Sequence, residues 1–414
     1  MHPDAFAEIH PPLGPRAAAV EANRCLYCFD APCTAACPTH IDVPMFIKKI
    51  AAGNTLGAAQ TILDANILGL SCSRVCPVGV LCEGACVMHR YNKQPIEIGR
   101  LQRHAMDHFY ASGIGLQAGP ERSGRVACIG AGPASLACAA ELRRRGLAVT
   151  LIDKSTLAGG LNTYGVAEYK LRPADSLKEV ELIRGMGAEF RLGLDAASLF
   201  PELETQFDVI FIGAGLGDTR ALGIPGEDLP GVIDALRFIA AYKTNGTAPI
   251  GRRVVVIGGG NTAIDAAVAS RRLGAEEVHM VYRRGPANLS AFDHEADLAR
   301  REGVRFHFHL RPQAILGAAA VEAAAFTLGS STTVRIDCDT VIPSVGQSRL
   351  LDLLSRFHGV ELRDGCVIVD SKTGRTTNPR YYAGGDCVNG GREVVDAAAE
   401  GKRAAVAISE ALHG

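Results

Sequence analysis

No stretch of this 414-residue sequence stays apolar for the roughly 18 residues that a bilayer span requires. The opening residues, MHPDAFAEIHPPLGP, lack the basic region and apolar core of a secretory signal. Neither charge is in excess. With 43 Lys and Arg against 44 Asp and Glu, the net charge is −1, so nothing is built to attract nucleic acid or another polyanion. These absences point to a cytoplasmic chain with no membrane contact, in a compartment where disulfides seldom persist. Cysteine is also sparse over most of the length. After residue 90 only Cys128, Cys138, Cys338, Cys366 and Cys387 occur, and they read as small core residues.

The other eight cysteines crowd into the first 90 residues. They run Cys25-x2-Cys28-x4-Cys33-x3-Cys37-Pro38 and then Cys72-x3-Cys76-x5-Cys82-x3-Cys86. A structural zinc site usually gathers paired C-x2-C knuckles or a Cys/His mixture. Here one C-x2-C occurs, and His40 and His89 are not at finger spacing. Iron–sulfur clusters instead take thiolates from a tight loop plus one distant residue. Where two clusters share a chain, the cysteine before proline crosses to the other cluster. The run ending in Pro38 has that character, and a pair of electron-carrying clusters is the reading it favours over zinc.

Beyond the linker YASGIGLQAGPERSG the pattern changes. RVACIGAGPASLACAAELRRRGLAVTLIDK reads as strand, tight turn, helix and second strand, and RRVVVIGGGNTAIDAAVASRRLGAEEVHMVYRR repeats the unit 128 residues later. Two such units predict two nucleotide-binding α/β domains. In the first turn Gly130 permits the bend and Gly132 opens the way to a pyrophosphate, with Ser135 in place of a third glycine; Gly258, Gly260 and Ala263 form the second. The strand of the first unit ends in Asp153, an acceptor for ribose hydroxyls that suits FAD or NAD. That of the second ends in Arg283 and Arg284, two guanidiniums that suit a 2′-phosphate. The first domain therefore reads as an FAD site and the second as an NAD(P)H site, NADPH preferred over NADH. The late YYAGGDCVNGGREVVDAAAEGKRAAVAI, a strand, a glycine pair and a long helix, closes the flavin domain after an interruption. The expected fold is α/β: an N-terminal α-helical iron–sulfur domain (1–115), then two Rossmann-like domains. The FAD domain (122–216 and 341–414) is interrupted by the NAD(P)H domain (217–340).

The motifs CLYCFDAPCTAACPTHIDVPMFI, LGLSCSRVCP, IGRLQR, GAGPASLACA, EYKLRP, IGGGNTAIDAA, VYRRGPANLSA and AGGDCV span nearly the whole chain. It resembles the flavin/iron–sulfur module shared by glutamate synthase small subunits and the N-terminal half of dihydropyrimidine dehydrogenase. That resemblance implies two [4Fe–4S] clusters, one on Cys25, Cys28, Cys33 and Cys86, the other on Cys37, Cys76, Cys82 and Gln102. Cys72 matches a position that is not a ligand. The helix position of Gln102 is usually Glu in glutamate synthase small subunits and Gln in dihydropyrimidine dehydrogenases, which tilts the resemblance toward the pyrimidine branch. FAD is implied to meet Gly130, Gly132, Asp153, Leu161, Asn162, Lys170 and Asp386. NAD(P)H is implied to meet Gly258, Gly260, Asn261, Thr262, Arg283, Arg284 and Gly346. A further phosphate-site arginine of the family is Ser290 here.

The resemblance supplies no substrate-transforming domain. It implies an electron-input subunit of a hetero-oligomer whose partner is an FMN-binding barrel protein reducing uracil or thymine, as in bacterial two-component dihydropyrimidine dehydrogenases. Hydride transfer between nicotinamide and flavin needs no side chain as general acid or base, so no catalytic residue is expected. Two alternatives stay open: a glutamate synthase-type small subunit feeding another acceptor, and a zinc-stabilised nucleotide-binding protein without redox activity.

Overall fold

The computed structural model describes residues 6–200 and 202–413; the outermost residues of the expected end domains, and Pro201, lie outside it. The chain opens with helices α1 (Pro15–Ala22), α2 (Val43–Ala51), α3 (Thr55–Ala65), α4 (Gly69–Val75) and α5 (Ile98–Ala111). Then come β1 (Arg125–Ile129), α6 (Pro133–Arg144), β2 (Ala148–Asp153), α7 (Pro173–Gly185), β3 (Glu189–Leu192) and β4 (Val209–Ile212). The middle stretch holds β5 (Arg253–Gly258), α8 (Asn261–Arg272), β6 (Glu277–Tyr282), α9 (Asp293–Arg301) and β7 (Arg305–Phe308). It ends in β8 (Leu310–Leu316), β9 (Ala323–Leu328), β10 (Thr332–Asp337) and β11 (Thr340–Ser344), and the chain closes with β12 (Tyr381–Ala383) and α10 (Val394–His413).

One compact unit comprises residues 9–163, 174–216 and 349 onward. Its five-stranded sheet is parallel, in the order β12-β4-β1-β2-β3. Apolar strands such as VIFI (β4) are buried throughout, as a sheet covered on both faces requires. The N-terminal helices belong to this same unit. Each buries one stripe: α2 covers Val43, Phe46, Ile47 and Ile50 at helical spacing, and burying each such side chain is worth about 1.5–3 kcal/mol. Asp42 caps α2 by accepting from Met45 N at 3.0 Å. Polar bonds to helices of the sheet fasten this layer. Lys402 of α10 donates to Asp64 O (2.7 Å) and Ala65 O (3.1 Å), and Arg144 of α6 donates to Leu63 O at 2.8 Å.

The other unit gathers the described residues up to Glu8, 164–173 and 217–348. Its parallel sheet runs β11-β5-β6-β7, beside an antiparallel sheet β10-β9-β8. Val255, Ile257, Phe326, Ile336 and Val341 share its core. β11 pairs with β5 along its whole length, Thr340 opposite Val254 and Ser344 opposite Gly258. The return to the first sheet, expected at residue 341, therefore comes after Ser348. Residues 164–173, expected in the first domain, count with the second unit. A buried strand such as TVIPS carries no local mark of which sheet it joins.

Candidate cluster and nucleotide sites

The thiols fall into two groups. Cys25, Cys28, Cys33 and Cys86 line one cavity, walled by Pro32, Val43, Pro44, Ile47 and Ile98. The backbone bends tightly to bring them there: Tyr27, between the first two, has φ +50, a left-handed conformation uncommon outside glycine. Burial pushes the Cys25 thiol up and that of Cys33 up to about 11, with neighbouring thiols adding repulsion. In the second group Cys76, raised by its hydrogen bond to Cys72 and by burial, also feels Cys82 and Cys37. Burial lifts Cys82 to about 12, helped by Glu83 and Cys37. Thiols in such surroundings ionise only where bound metal offsets the cost.

Gln102, on α5, is 8 % exposed, and its Nε2 donates to Gly69 O at 2.8 Å. Gly69 opens α4, the helix that leads into Cys76. Among the described residues no three His, Cys, Asp or Glu side chains are placed to hold a single ion. Soft sulfurs around an apolar cavity fit an iron–sulfur core. Of the remaining cysteines, Cys128, Cys138, Cys338 and Cys387 are buried and Cys366 is half-buried.

In the first sheet all strands are parallel, so the carboxyl ends of β1, β2 and β12 share one edge, where open α/β sheets bind ligands. Gly130 (φ +93) turns there, and a Cβ on it would stand 2.5 Å from Gly213 O. A Cβ on Gly132 would meet one atom, Gly160 Cα, at an ordinary contact distance of 3.8 Å. That is the cradle a pyrophosphate needs. Asp153 accepts from Ala131 N and Ser155 N, both at 2.7 Å, and so braces the turn; each carboxylate oxygen keeps a further lone pair. Ser135 is buried within α6, behind that turn, while Leu161 and Asn162 open the short helix Leu161–Tyr164. Asp386 follows β12 and accepts from Arg392 N at 3.1 Å; burial raises its carboxyl. Beside it lies Arg349, whose buried Nη1 has no hydrogen-bond partner among the described residues; no sequence signal marked this residue. Lys170, expected at the flavin, is placed in the other unit. Its Nζ pairs with Asp265 Oδ1 (2.6 Å) and Glu295 Oε1 (2.7 Å).

The second turn is built alike. A Cβ on Gly258 would stand 2.2 Å from Ser344 O of the adjacent strand, and Gly260 caps α8, which opens with Asn261 and Thr262. Asn261 Oδ1 accepts from Phe292 N at 3.0 Å. Arg283 and Arg284, just past β6, are exposed, and neither makes an ion pair among the described residues. Ser290 packs against the turn, its Oγ donating to Gly259 O at 3.1 Å. Gly346 lies just beyond β11 with φ +92.

Residues 124–401 match the family model described as pyridine nucleotide-disulphide oxidoreductase. The chain belongs to that family. Residues 2–114 match a second model, dihydropyrimidine dehydrogenase domain II, 4Fe-4S cluster. This family member is thus an oxidoreductase of the iron–sulfur and FAD/NAD(P) cofactor classes. It is 34% identical to the glutamate synthase [NADPH] small chain of Halomonas elongata, over 98% of this chain and 93% of the relative. It is 32% identical to the NAD-dependent dihydropyrimidine dehydrogenase subunit PreT of Escherichia coli, over 98% and 97%. Thioredoxin reductase of T. acidophilum superposes on 70% of this chain and 100% of its own with a TM-score of 0.59 at 21% identity, a likeness of fold. Among the described residues no helix is long and apolar enough to cross a membrane.

Proposed function

We propose that the chain is an electron-input subunit that oxidises NAD(P)H and delivers electrons to a separate catalytic partner, an FMN-containing dihydropyrimidine dehydrogenase subunit acting on uracil or thymine. When bound, NAD(P)H and FAD supply hydride transfer and two [4Fe–4S] clusters supply one-electron carriage. The chain's own residues hold and tune these groups. Cys25, Cys28, Cys33 and Cys86 ligate one cluster, and Cys37, Cys76, Cys82 and Gln102 the other. The observation that carries the reading is the cavity lined by Cys25, Cys28, Cys33 and Cys86, with Cys37, Cys76 and Cys82 close enough to repel one another and Gln102 buried and bonded to Gly69 O on α4. Because Nε2 is spent on Gly69 O, Oε1 is the amide atom left to meet iron. A neutral ligand in place of a thiolate changes that cluster's charge and so its potential.

Gly130, Gly132 and Asp153 hold the FAD adenosine diphosphate, with Ser135 behind the turn, Leu161 and Asn162 beside it, and Asp386 at the sheet edge. Gly258, Gly260, Asn261, Thr262 and Gly346 hold NAD(P)H, with Arg283 and Arg284 on a 2′-phosphate. The partner relation draws on named relatives that are subunits: PreT and the glutamate synthase small chain. The test is uracil- or thymine-dependent NAD(P)H oxidation by the chain co-purified with an FMN barrel partner, and turnover is expected. A second reading, a small chain feeding a glutamine-dependent synthase, rests on the 34% identity to the Halomonas protein. Turnover with 2-oxoglutarate and glutamine, and none with either pyrimidine, would establish that reading instead.

A further inference from the structure

One cation at the ligand edge of the first sheet has no partner. Arg349 is half-buried, and among the described residues its guanidinium makes neither an ion pair nor a hydrogen bond, with Nη1 shut off from solvent. Carboxylates of this edge are engaged elsewhere. Asp386 accepts from Arg392 N at 3.1 Å, and Glu400 from Gly385 N at 2.6 Å and Asn389 Nδ2 at 3.2 Å. Two glycines let the arginine lie directly against backbone. A Cβ on Gly365 (φ +73) would stand 2.7 Å from Arg349 Cγ, and one on Gly390 (φ +86) 3.0 Å from its Nη2. Gly390 ends the short helix Asp386–Asn389, so the guanidinium is held over the segment that Asp386 opens. A buried cationic N–H without an acceptor is costly, and an acceptor from outside the chain offsets that cost.

Position along the edge points to the acceptor. Asp153 ends β2, the Gly130 turn follows β1, and the segment under Arg349 follows β12, two strands farther on in the order β12-β4-β1-β2. With neighbouring strands about 4.8 Å apart, β12 stands roughly 10 Å from β1, on the side away from Asp153. Gly385 ties that end to the turn: its Cβ position lies 2.9 Å from Ala134 Cβ, in the first turn of α6. A dinucleotide with its adenosine at Asp153 and its pyrophosphate at Gly132 therefore extends its flavin half toward β12. We propose that Arg349 is a binding residue for that half of FAD: its guanidinium donates to the N1–C2 carbonyl edge of the ring and raises the flavin's reduction potential. This rests on the FAD assignment made under Proposed function. Hydride transfer from NAD(P)H leaves NAD(P)+ and adds one net negative charge to the ring. A fixed positive charge beside that edge favours the reduced form over the neutral oxidised one.

The experiment titrates the anaerobically purified full chain with sulfite, and separately against electrode potential, for wild type, R349M and R349K. Sulfite adds to flavin N5 and leaves negative charge on the same edge, so bleaching of the flavin band reads the local field without turnover. R349M is expected to keep its FAD and to bind sulfite roughly ten-fold more weakly, with a two-electron midpoint lower by about 30 mV. R349K retains the charge and is expected nearer wild type than R349M in both. Unchanged sulfite affinity and midpoint in R349M overturn the proposal, even where FAD is held less tightly, a result that would put the guanidinium on the pyrophosphate. If R349M holds no flavin, R349K is read alone: sulfite affinity near wild type supports the proposal, and a ten-fold loss overturns it. Loss of flavin from both variants also overturns it, making Arg349 a packing residue. A wild-type chain that releases no FAD on denaturation overturns the FAD assignment instead, and that result is read before any variant is made.

Discussion

Glu179, on α7, accepts hydrogen bonds from both the backbone N–H of Ser71 (2.9 Å) and its hydroxyl, with the carboxylate 1 % exposed. This ties a helix of the first sheet to α4, the helix that precedes Cys76. Burial raises the Glu179 carboxyl to about 7, against the pull of Ser71 and Arg74. An acid whose folded value lies above its unfolded one stabilises the fold fully below the unfolded value of about 4.5 and loses that contribution as pH rises to about 7. Glu179→Gln keeps an acceptor for Ser71 and removes the titration. Thermal melts between pH 4.5 and 7.5 should show a shallower fall of Tm with rising pH in the variant than in wild type. Parallel profiles would contradict this.

Lys170 is enclosed by Asp265 and Glu295, with Tyr169 also donating to Asp265 Oδ1 at 2.9 Å. The two carboxylates hold the Lys170 ammonium above its ordinary value against the opposing effect of burial. Lys170→Met leaves two buried acids facing each other, and breaking a buried ion pair this way costs about 3–5 kcal/mol. Denaturant unfolding should report a loss of that order. A variant as stable as wild type would show that the pair is solvated.

On the proposed reading, Arg283 and Arg284 meet the 2′-phosphate that distinguishes NADPH from NADH. Hydrogen bonds to a charged group are worth about 1.5–3 kcal/mol, so the double alanine variant should raise KM for NADPH by roughly 10- to 100-fold. KM for NADH should stay nearly constant. Steady-state reduction of ferricyanide reads both. Equal effects on the two nucleotides would place the arginines elsewhere than at a 2′-phosphate.

Much of this architecture is legible in the sequence because its signals are local. The glycine turns sit between a buried strand and a helix, so Gly130 and Gly258 are recognisable from their immediate neighbours, and the thiol spacings from Cys25 to Cys37 mark themselves. What escaped depends on long-range partners. Glu179 meets Ser71 across 108 residues with nothing in either neighbourhood to announce it. Lys170 carries its charge where a flavin contact was expected, but its partners lie 95 and 125 positions away in sequence. The strand Thr340–Ser344 is apolar enough for either sheet, and only its pairing with Arg253–Gly258 assigns it.

The most direct measurement is iron and acid-labile sulfide per chain in anaerobic material, with electron paramagnetic resonance after dithionite, for wild type, Cys33→Ser and Cys76→Ser. The wild type should hold about eight irons and two cluster signals. Each variant should lose about four irons and a different signal. Stoichiometric zinc without iron, or the same signal lost in both variants, would contradict two separately ligated clusters.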